Sequence, residues 1–296
     1  MCIAAGKANL FIVGAAKAGT STLHSALAGH SDICMSSQKE PNFFSATQVL
    51  ELSSSMGYQF DVTHTEVEYL KLFDSRDCTY RGEASVSYLS YSSVAQDIYD
   101  YNPNAKIIIM LRDPVKRAIS HYNMDKRLGI CSLELEEVLT HPDSFRPHYF
   151  QYVSAGKYFS QIAEYTRVFE RENVLFIEFE DIRSSLSQVM LTVYDFLGVE
   201  PLETEYVKEN VGLVANNGLV SSLYKRKAVR TLIKKILPTS AIGAIQDRFF
   251  AVGGDKEIKR GLQDALFELF SDDIGKVEQI LGWDLQHWKN PYCSVQ

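Results

Sequence analysis

The sequence predicts an α/β protein, a doubly wound parallel sheet covered by helices, and two observations predict it. Strand-like apolar runs at Leu10–Gly14, Lys106–Leu111 and Val174–Phe179 are each followed by a helix-like segment, the alternation that produces a parallel sheet with crossover helices. The first two runs end in turns marked by glycine or proline immediately before the helix, at the carboxyl edge where such sheets bind ligands. With 296 residues and 46% hydrophobic composition, the chain can bury a full core. No repeat, low-complexity tract or Pro/Gly/Ser linker marks a boundary, so residues 1–296 are read as one domain.

Composition narrows the function classes. The longest apolar runs, Leu10 to Ala16 and Ile107 to Leu111, are strand-sized, and the N-terminus lacks the basic and apolar regions of a secretion signal. A soluble, cytoplasmic enzyme with no membrane span is expected. The five cysteines, Cys2, Cys34, Cys78, Cys131 and Cys293, are widely spaced, with no C-x-x-C pair and no metal-ligand spacing, and are read as ordinary reduced thiols. A formal charge of −7 argues against a surface for nucleic acid or a highly sulfated polymer, since that binding rests on broad cationic patches. Any anion site must be local.

The first unit reads Leu10-Phe-Ile-Val-Gly14-Ala-Ala-Lys17-Ala-Gly19-Thr20-Ser21-Thr22-Leu23. A strand running through a glycine-flanked turn into a helix is a phosphate cradle, because free N–H groups and the positive end of the helix dipole meet the anion there. Gly19 permits close backbone approach, Thr20, Ser21 and Thr22 add hydroxyls, and Lys17 adds a mobile positive charge. One alternative is a plain turn capped by Thr20 or Ser21. Another is a nucleotide triphosphatase, but its G-x-x-x-x-G-K-[ST] loop needs lysine directly after the second glycine, where this chain has Thr20.

The second unit is Ile107-Ile-Ile-Met-Leu111-Arg112-Asp113-Pro114-Val115-Lys116-Arg117-Ala118-Ile119-Ser120-His121-Tyr122. Asp113 is a natural N-cap and Pro114 a natural first helical residue. Arg112 then stands at the carboxyl end of a strand. Ser120, about two turns into the helix, joins Arg112 around one ligand only if the helix runs past it.

Together these segments resemble the sulfotransferase family, especially the branch of heparan sulfate sulfotransferases and related bacterial enzymes. Lys39-Glu40-Pro41-Asn42-Phe43-Phe44, Gly82 to Tyr88, Gly156-Lys157-Tyr158 and Val174 to Gly198 resemble further family segments, although Val86 stands where proline is common. The resemblance implies 3′-phosphoadenylyl sulfate as donor, 3′-phosphoadenosine 5′-phosphate as product, and no metal. It implies that Lys17 acts at the bridging oxygen and leaving phosphate, that Ala18, Gly19, Thr20, Ser21 and Thr22 hold the 5′-phosphate, and that Arg112 and Ser120 bind the 3′-phosphate. The family's C-terminal basic loop is not placed; Lys225 to Lys227, Lys256, Lys259 and Arg260 read as solvated helix faces.

In the same branch the motif glutamate is the proposed base, which assigns Glu40 to the acceptor's proton. Burial beside Phe43 and Phe44 would make that carboxylate hold a proton more tightly. The alternatives are a structural pairing of Glu40 with Lys39 or Lys17, or a histidine base, His121 or His64. Phe43, Phe44, Tyr88, Tyr91 and Tyr122 are expected to line the pocket of a small-molecule or carbohydrate acceptor, with plain core packing as their other use. The competing activity is a nucleotide or small-molecule kinase on the same scaffold, and a third reading is a non-catalytic nucleotide-binding module. Acceptor identity and oligomeric state do not follow from the residues.

Overall fold

The computed structural model describes residues 6–73, 76–202 and 258–292, with two short strands at 213–215 and 250–252. The chain runs β1 (Leu10–Gly14), α1 (Thr20–Leu27), β2 (Ile33–Met35), α2 (Ala46–Met56), α3 (Glu66–Leu70), β3 (Tyr80–Ala84), α4 (Ser93–Tyr101), β4 (Lys106–Leu111) and α5 (Pro114–Leu128). It continues through α6 (Leu135–Thr140), α7 (Arg146–Tyr152), α8 (Tyr158–Val168), β5 (Val174–Glu178), α9 (Phe179–Ser184) and α10 (Leu186–Leu197). β6 (Leu213–Ala215) and β7 (Phe250–Val252) pair antiparallel, and α11 (Arg260–Leu281) and α12 (Gln286–Lys289) follow.

Five strands form one parallel sheet in the order β2-β3-β1-β4-β5. Every residue of β1, and every residue of β4 after Lys106, is buried. Central parallel strands are covered on both faces, which is why these two read as unbroken apolar runs. The chain leaves β1 towards β2 on one side and β4 towards β5 on the other, so the switch point, and the crevice it opens, lies beyond the carboxyl ends of β1 and β4.

The expected bounds of β1 and β4 agree with the structure, whereas β5 stops at Glu178 because Phe179 opens α9. Asp113 caps α5 as expected: its Oδ1 accepts from Val115 N at 2.9 Å and Lys116 N at 3.2 Å, with Pro114 in the first turn. At the far end of the chain, Asp273 of α11 accepts from Tyr158 N at 2.7 Å and so caps α8. Fully buried Trp288 of α12 donates to Glu178 at the end of β5.

The expectation of five reduced thiols is corrected. β2 and β3 pair with Ile33 opposite Tyr80, which brings Cys34 and Cys78 to a Cα separation of 6.1 Å, and the two form a disulfide. At a sequence separation of 44, spacing gave no sign of it. Cys131 is a buried free thiol; Cys2 and Cys293 lie outside the described residues.

Arg117 ties α5 to α7. It is fully buried, and Nη2 donates to the carbonyls of Gln151 at 3.0 Å and Tyr152 at 2.6 Å. Those carbonyls end α7 and have no helical partner, and a cation at a helix C-terminus is favourable. Arg117→Met should therefore leave the buried Tyr152 carbonyl unsatisfied and lower stability by roughly 1–3 kcal/mol, read as a fall in the urea midpoint. An unchanged midpoint would show that water replaces the guanidinium without loss.

Candidate active site

A cleft of about 980 Å³ opens at the switch point. The β1–α1 loop contributes Lys17, Gly19, Thr20, Ser21 and Thr22 to its lining; Arg112 comes from the end of β4, and Ser120 from α5. The helix does run past the loop, so these predicted residues share one cavity. Ala18 is fully buried beneath it. Among the described residues, five basic side chains (Lys17, Lys39, Arg112, Arg127 and Arg183) and two acidic ones (Glu40 and Asp125) line the cleft, a local excess of positive charge in an acidic chain.

The loop is held in an unusual shape. Lys17 has φ 71°, a left-handed conformation that costs a side-chain-bearing residue roughly 1–2 kcal/mol. Arg112 secures it, Nη1 donating to the carbonyl of Lys17 at 2.9 Å. The guanidinium lies over the Phe179 ring at 4.5 Å, and Tyr158 donates to the Arg112 carbonyl at 3.0 Å. Burial pushes the Arg112 pKa down, with Glu180 opposing. Its Nε is buried and has no hydrogen-bond partner among the described residues. Gly19 caps α1 with φ 88° and no side-chain hydrogen bond; a Cβ there would sit 3.1 Å from the Phe179 ring. The amino group of Lys17 meets the Met124 sulfur at 3.3 Å.

Glu40 (φ 59°) and Asn42 (φ 52°) are the other side-chain-bearing residues with positive φ among those described. Strain of this kind concentrates at functional sites, and two of these three residues are the catalytic pair expected from the sequence. Glu40 N donates to Ala84 O at 2.9 Å, Asn42 Nδ2 to Glu40 O at 2.9 Å, and Asn42 N to Ser85 Oγ at 3.1 Å. Ser87 donates to Asn42 Oδ1 at 2.6 Å. The expected burial of Glu40 against Phe43 and Phe44 is not found. Its side chain is 38% exposed and pairs with Lys39 at 2.6 Å, because the positive φ turns the two rings inward while Glu40 stays on the cleft wall.

Of the expected aromatic lining, Tyr91 faces the cleft. Phe43 stacks on Tyr69 at 4.6 Å, Phe44 packs edge-on to Phe11 and Tyr88, and Tyr88 and Tyr122 are buried; none of these four is among the residues that line the cavity. The rings found there are Tyr58, Phe60, Tyr91, Phe150 and Phe179, with Tyr91 stacked on Phe150 at 5.4 Å. Among the histidines, His121 lines the cleft, and burial, followed by Arg117 and Lys17, holds its pKa well below the usual value. His64 is exposed and lies elsewhere. Arg260 pairs with Asp264 on its own helix at 3.0 Å, as a solvated face would. Lys225 to Lys227 and Lys256 lie outside the described residues.

Two carboxyls were missed. Asp125 lines the cleft from α5, and burial raises its pKa to about 7 while Tyr152 and Lys17 oppose. Helical spacing held the signal, since Ser120, His121, Met124, Asp125 and Leu128 fall on one face and all line the cavity. Glu83 is fully buried behind Glu40; desolvation raises its pKa to about 7 against hydrogen bonds from Tyr88, Ser85 and Tyr69. Ser85 bridges it to Asn42, donating to Glu83 Oε2 at 2.8 Å.

The family model for the sulfotransferase domain matches residues 7–275. Human carbohydrate sulfotransferase 15 is 23% identical over 251 residues, covering 66% of this chain and 44% of that protein. Bifunctional heparan sulfate N-deacetylase/N-sulfotransferase 1 of Xenopus tropicalis is 24% identical over 197 residues, covering 64% of this chain and 22% of that protein. The chain thus spans less than half the length of these relatives. A sulfotransferase structure from Alicyclobacillus acidocaldarius is 30% identical, with a TM-score of 0.70 over 96% of this chain and 99% of that one.

Glu83 makes stability depend on pH. A carboxyl raised from 4.5 to about 7 by folding stabilises fully below its unfolded pKa, and that contribution is lost as pH rises to the folded one. The stability difference between wild type and Glu83→Gln, read by urea unfolding, should therefore shift against the wild type between about pH 4.5 and 7 and level above. Parallel profiles for the two proteins would mean that Glu83 stays ionised.

Proposed function

Because the chain belongs to the sulfotransferase family, we propose that it moves the sulfuryl group of 3′-phosphoadenylyl sulfate to a hydroxyl or amine of a small-molecule or carbohydrate acceptor in the cleft described above. The observation that carries this reading is the left-handed Lys17 locked to Arg112 beside the open start of α1. Two features fit the site to an anionic nucleotide: the buried Nε of Arg112, without a hydrogen-bond partner among the described residues, and the start of α1 at Gly19, which no side chain caps. The backbone from Ala18 to Thr22 would hold the 5′-phosphate, Arg112 and Ser120 the 3′-phosphate, and Lys17 would meet charge growing on the bridging oxygen. In the transfer a bond from the acceptor heteroatom to sulfur forms as the S–O bond to the phosphate breaks. The bonding pair stays on the phosphate oxygen, and the acceptor's proton goes to a base.

Glu40 is the proposed base. It reaches the cleft from the β2 side, opposite α5, and would act once it is released from Lys39. The acceptor side is the arm walled by Tyr58, Phe60, Tyr91 and Phe150, whose flat faces suit a sugar ring or a small ring system. Compartment belongs to the same proposal. Disulfides persist where thiols are not kept reduced, so the Cys34–Cys78 bond favours an oxidising compartment over the cytoplasm expected from the sequence.

The nucleotide reading is tested by thermal shift. 3′-Phosphoadenosine 5′-phosphate should raise the melting temperature in the presence of chelator, as a ligand selective for the native state must, and adenosine 5′-phosphate should do so less because it leaves Arg112 and Ser120 unengaged. Equal shifts would remove the 3′-phosphate assignment.

For the base, Glu40→Gln should retain nucleotide affinity while the turnover that sulfates the acceptor falls roughly a hundredfold or more. Loss of nucleotide affinity instead would make Glu40 a positioning partner of Lys39 and Lys17.

A further inference from the structure

Asp125 is the one acidic side chain on the α5 wall of the cleft, and its neighbours define what it can do. Tyr152 of α7 donates to Oδ2 at 2.9 Å, the one described hydrogen bond to this side chain. Burial and nearby negative charge keep Tyr152 protonated, and burial does the same for the adjacent Cys131 thiol. His121, one turn earlier on α5, is held neutral by burial and by Arg117 and Lys17. Lys17, on the β1–α1 loop, is the cation whose charge acts on the Asp125 carboxyl. Its amino group rests on the sulfur of Met124, the residue preceding Asp125.

We propose that Asp125 is a positioning residue for Lys17, ionised and drawing the lysine to α5 before the nucleotide binds, and protonated once the lysine has turned to the nucleotide's phosphate. The proposal rests on the donor reading above. Its physical basis is a competition for one cation. A buried carboxylate is tolerated while a positive charge faces it, and an incoming phosphate both takes that charge and adds negative charge nearby. The carboxyl then takes a proton from solvent, Asp125 becomes neutral, and no bond other than that O–H is made or broken. Asp125 holds its proton with a pKa of about 7, so the exchange falls within the neutral range. The direction follows by linkage: if binding raises a group's proton affinity, raising the pH weakens binding.

The test is calorimetry of 3′-phosphoadenosine 5′-phosphate binding near pH 7 in buffers of different ionisation enthalpy, with wild type and Asp125→Asn. The wild type should take up a fraction of a proton more than the variant. Between pH 6 and pH 8 its affinity should fall several-fold further than the variant's, and the nucleotide's own phosphates titrate alike in both. Asp125→Asn should bind at least as tightly as wild type at pH 8 while kcat falls, because Lys17 is no longer guided. Equal proton uptake and parallel pH profiles would overturn the proposal, as would weaker binding by the variant at every pH. Failure of the wild type to bind the nucleotide would instead defeat the donor reading. In that case carboxyl ¹³C titration decides: Lys17→Met should raise the Asp125 midpoint, and an unmoved midpoint would show that the two groups are not coupled.

Discussion

The hydrogen bond from Arg112 to the carbonyl of Lys17 holds the site together. It joins the residue that ends β4 to the loop that ends β1, and its length is set by the pairing of those two strands, Leu10 to Lys106 and Ile12 to Ile108. A pair of buried strands can shift only by breaking the ladder and the core on both faces. The position of Lys17 is therefore fixed by the most rigid part of the molecule. Together with the bonds from Ala15 N to Met110 O at 2.6 Å and from Ala18 N to Ala15 O at 3.2 Å, the Arg112 bond holds a side-chain-bearing residue at φ 71°, away from ordinary helical or extended backbone.

The opposite wall uses the same device with different parts. Glu40 and Asn42 are held left-handed by groups on or just beyond β3: Ala84 O, Ser85 Oγ and Ser87 Oγ. Buried Glu83 anchors Ser85 in turn. Each strained residue costs of order 1–3 kcal/mol, and each hydrogen bond returns about 1 kcal/mol net, so several must converge on a short segment for the shape to persist. Lys17, Arg112 and Glu40 thus come to one sheet edge from the segments that follow β1, β4 and β2, each with its backbone pinned at a carbonyl, an amide or both.

What the sequence disclosed follows the range of the interactions. β1, β4, the Asp113–Pro114 helix start and the loop from Lys17 to Thr22 are set by neighbours a few residues apart, and the residue string displays them directly. Arg112 and Ser120 could be named through resemblance, but that they share a cavity needed the direction of α5. β2 is three residues long and β3 reads Tyr-Arg-Gly-Glu-Ala, too short or too polar for periodicity to reveal. Phe43, Phe44, Tyr88 and Tyr122 have the composition of a binding wall, yet Phe43 and Phe44 turn inward by the backbone at Glu40 and Asn42. The wall is supplied instead by Tyr58, Phe60 and Phe150, from segments with no motif of their own. The rise in the Asp125 and Glu83 pKa values and the Cys34–Cys78 bond depend on burial and on strand pairing, which no local pattern records.

The disulfide divides the chain in a way that bears on how such a protein can diversify. The covalent ring closed by Cys34 and Cys78 contains Glu40, Asn42, α2, Tyr58 and Phe60, much of one wall of the cleft. Lys17, Gly19, Arg112 and Ser120 all lie outside it. Substitutions or length changes inside the ring are confined between two anchored points on β2 and before β3, so those at the cleft-facing positions, away from the Phe44–Phe11 contact with β1, can reshape that wall while the β1–β4 pair stays in place. The fold thereby places the two sides of the cavity on different covalent units, so one side can be retuned by changes within the ring while the machinery on the other side keeps its own supports.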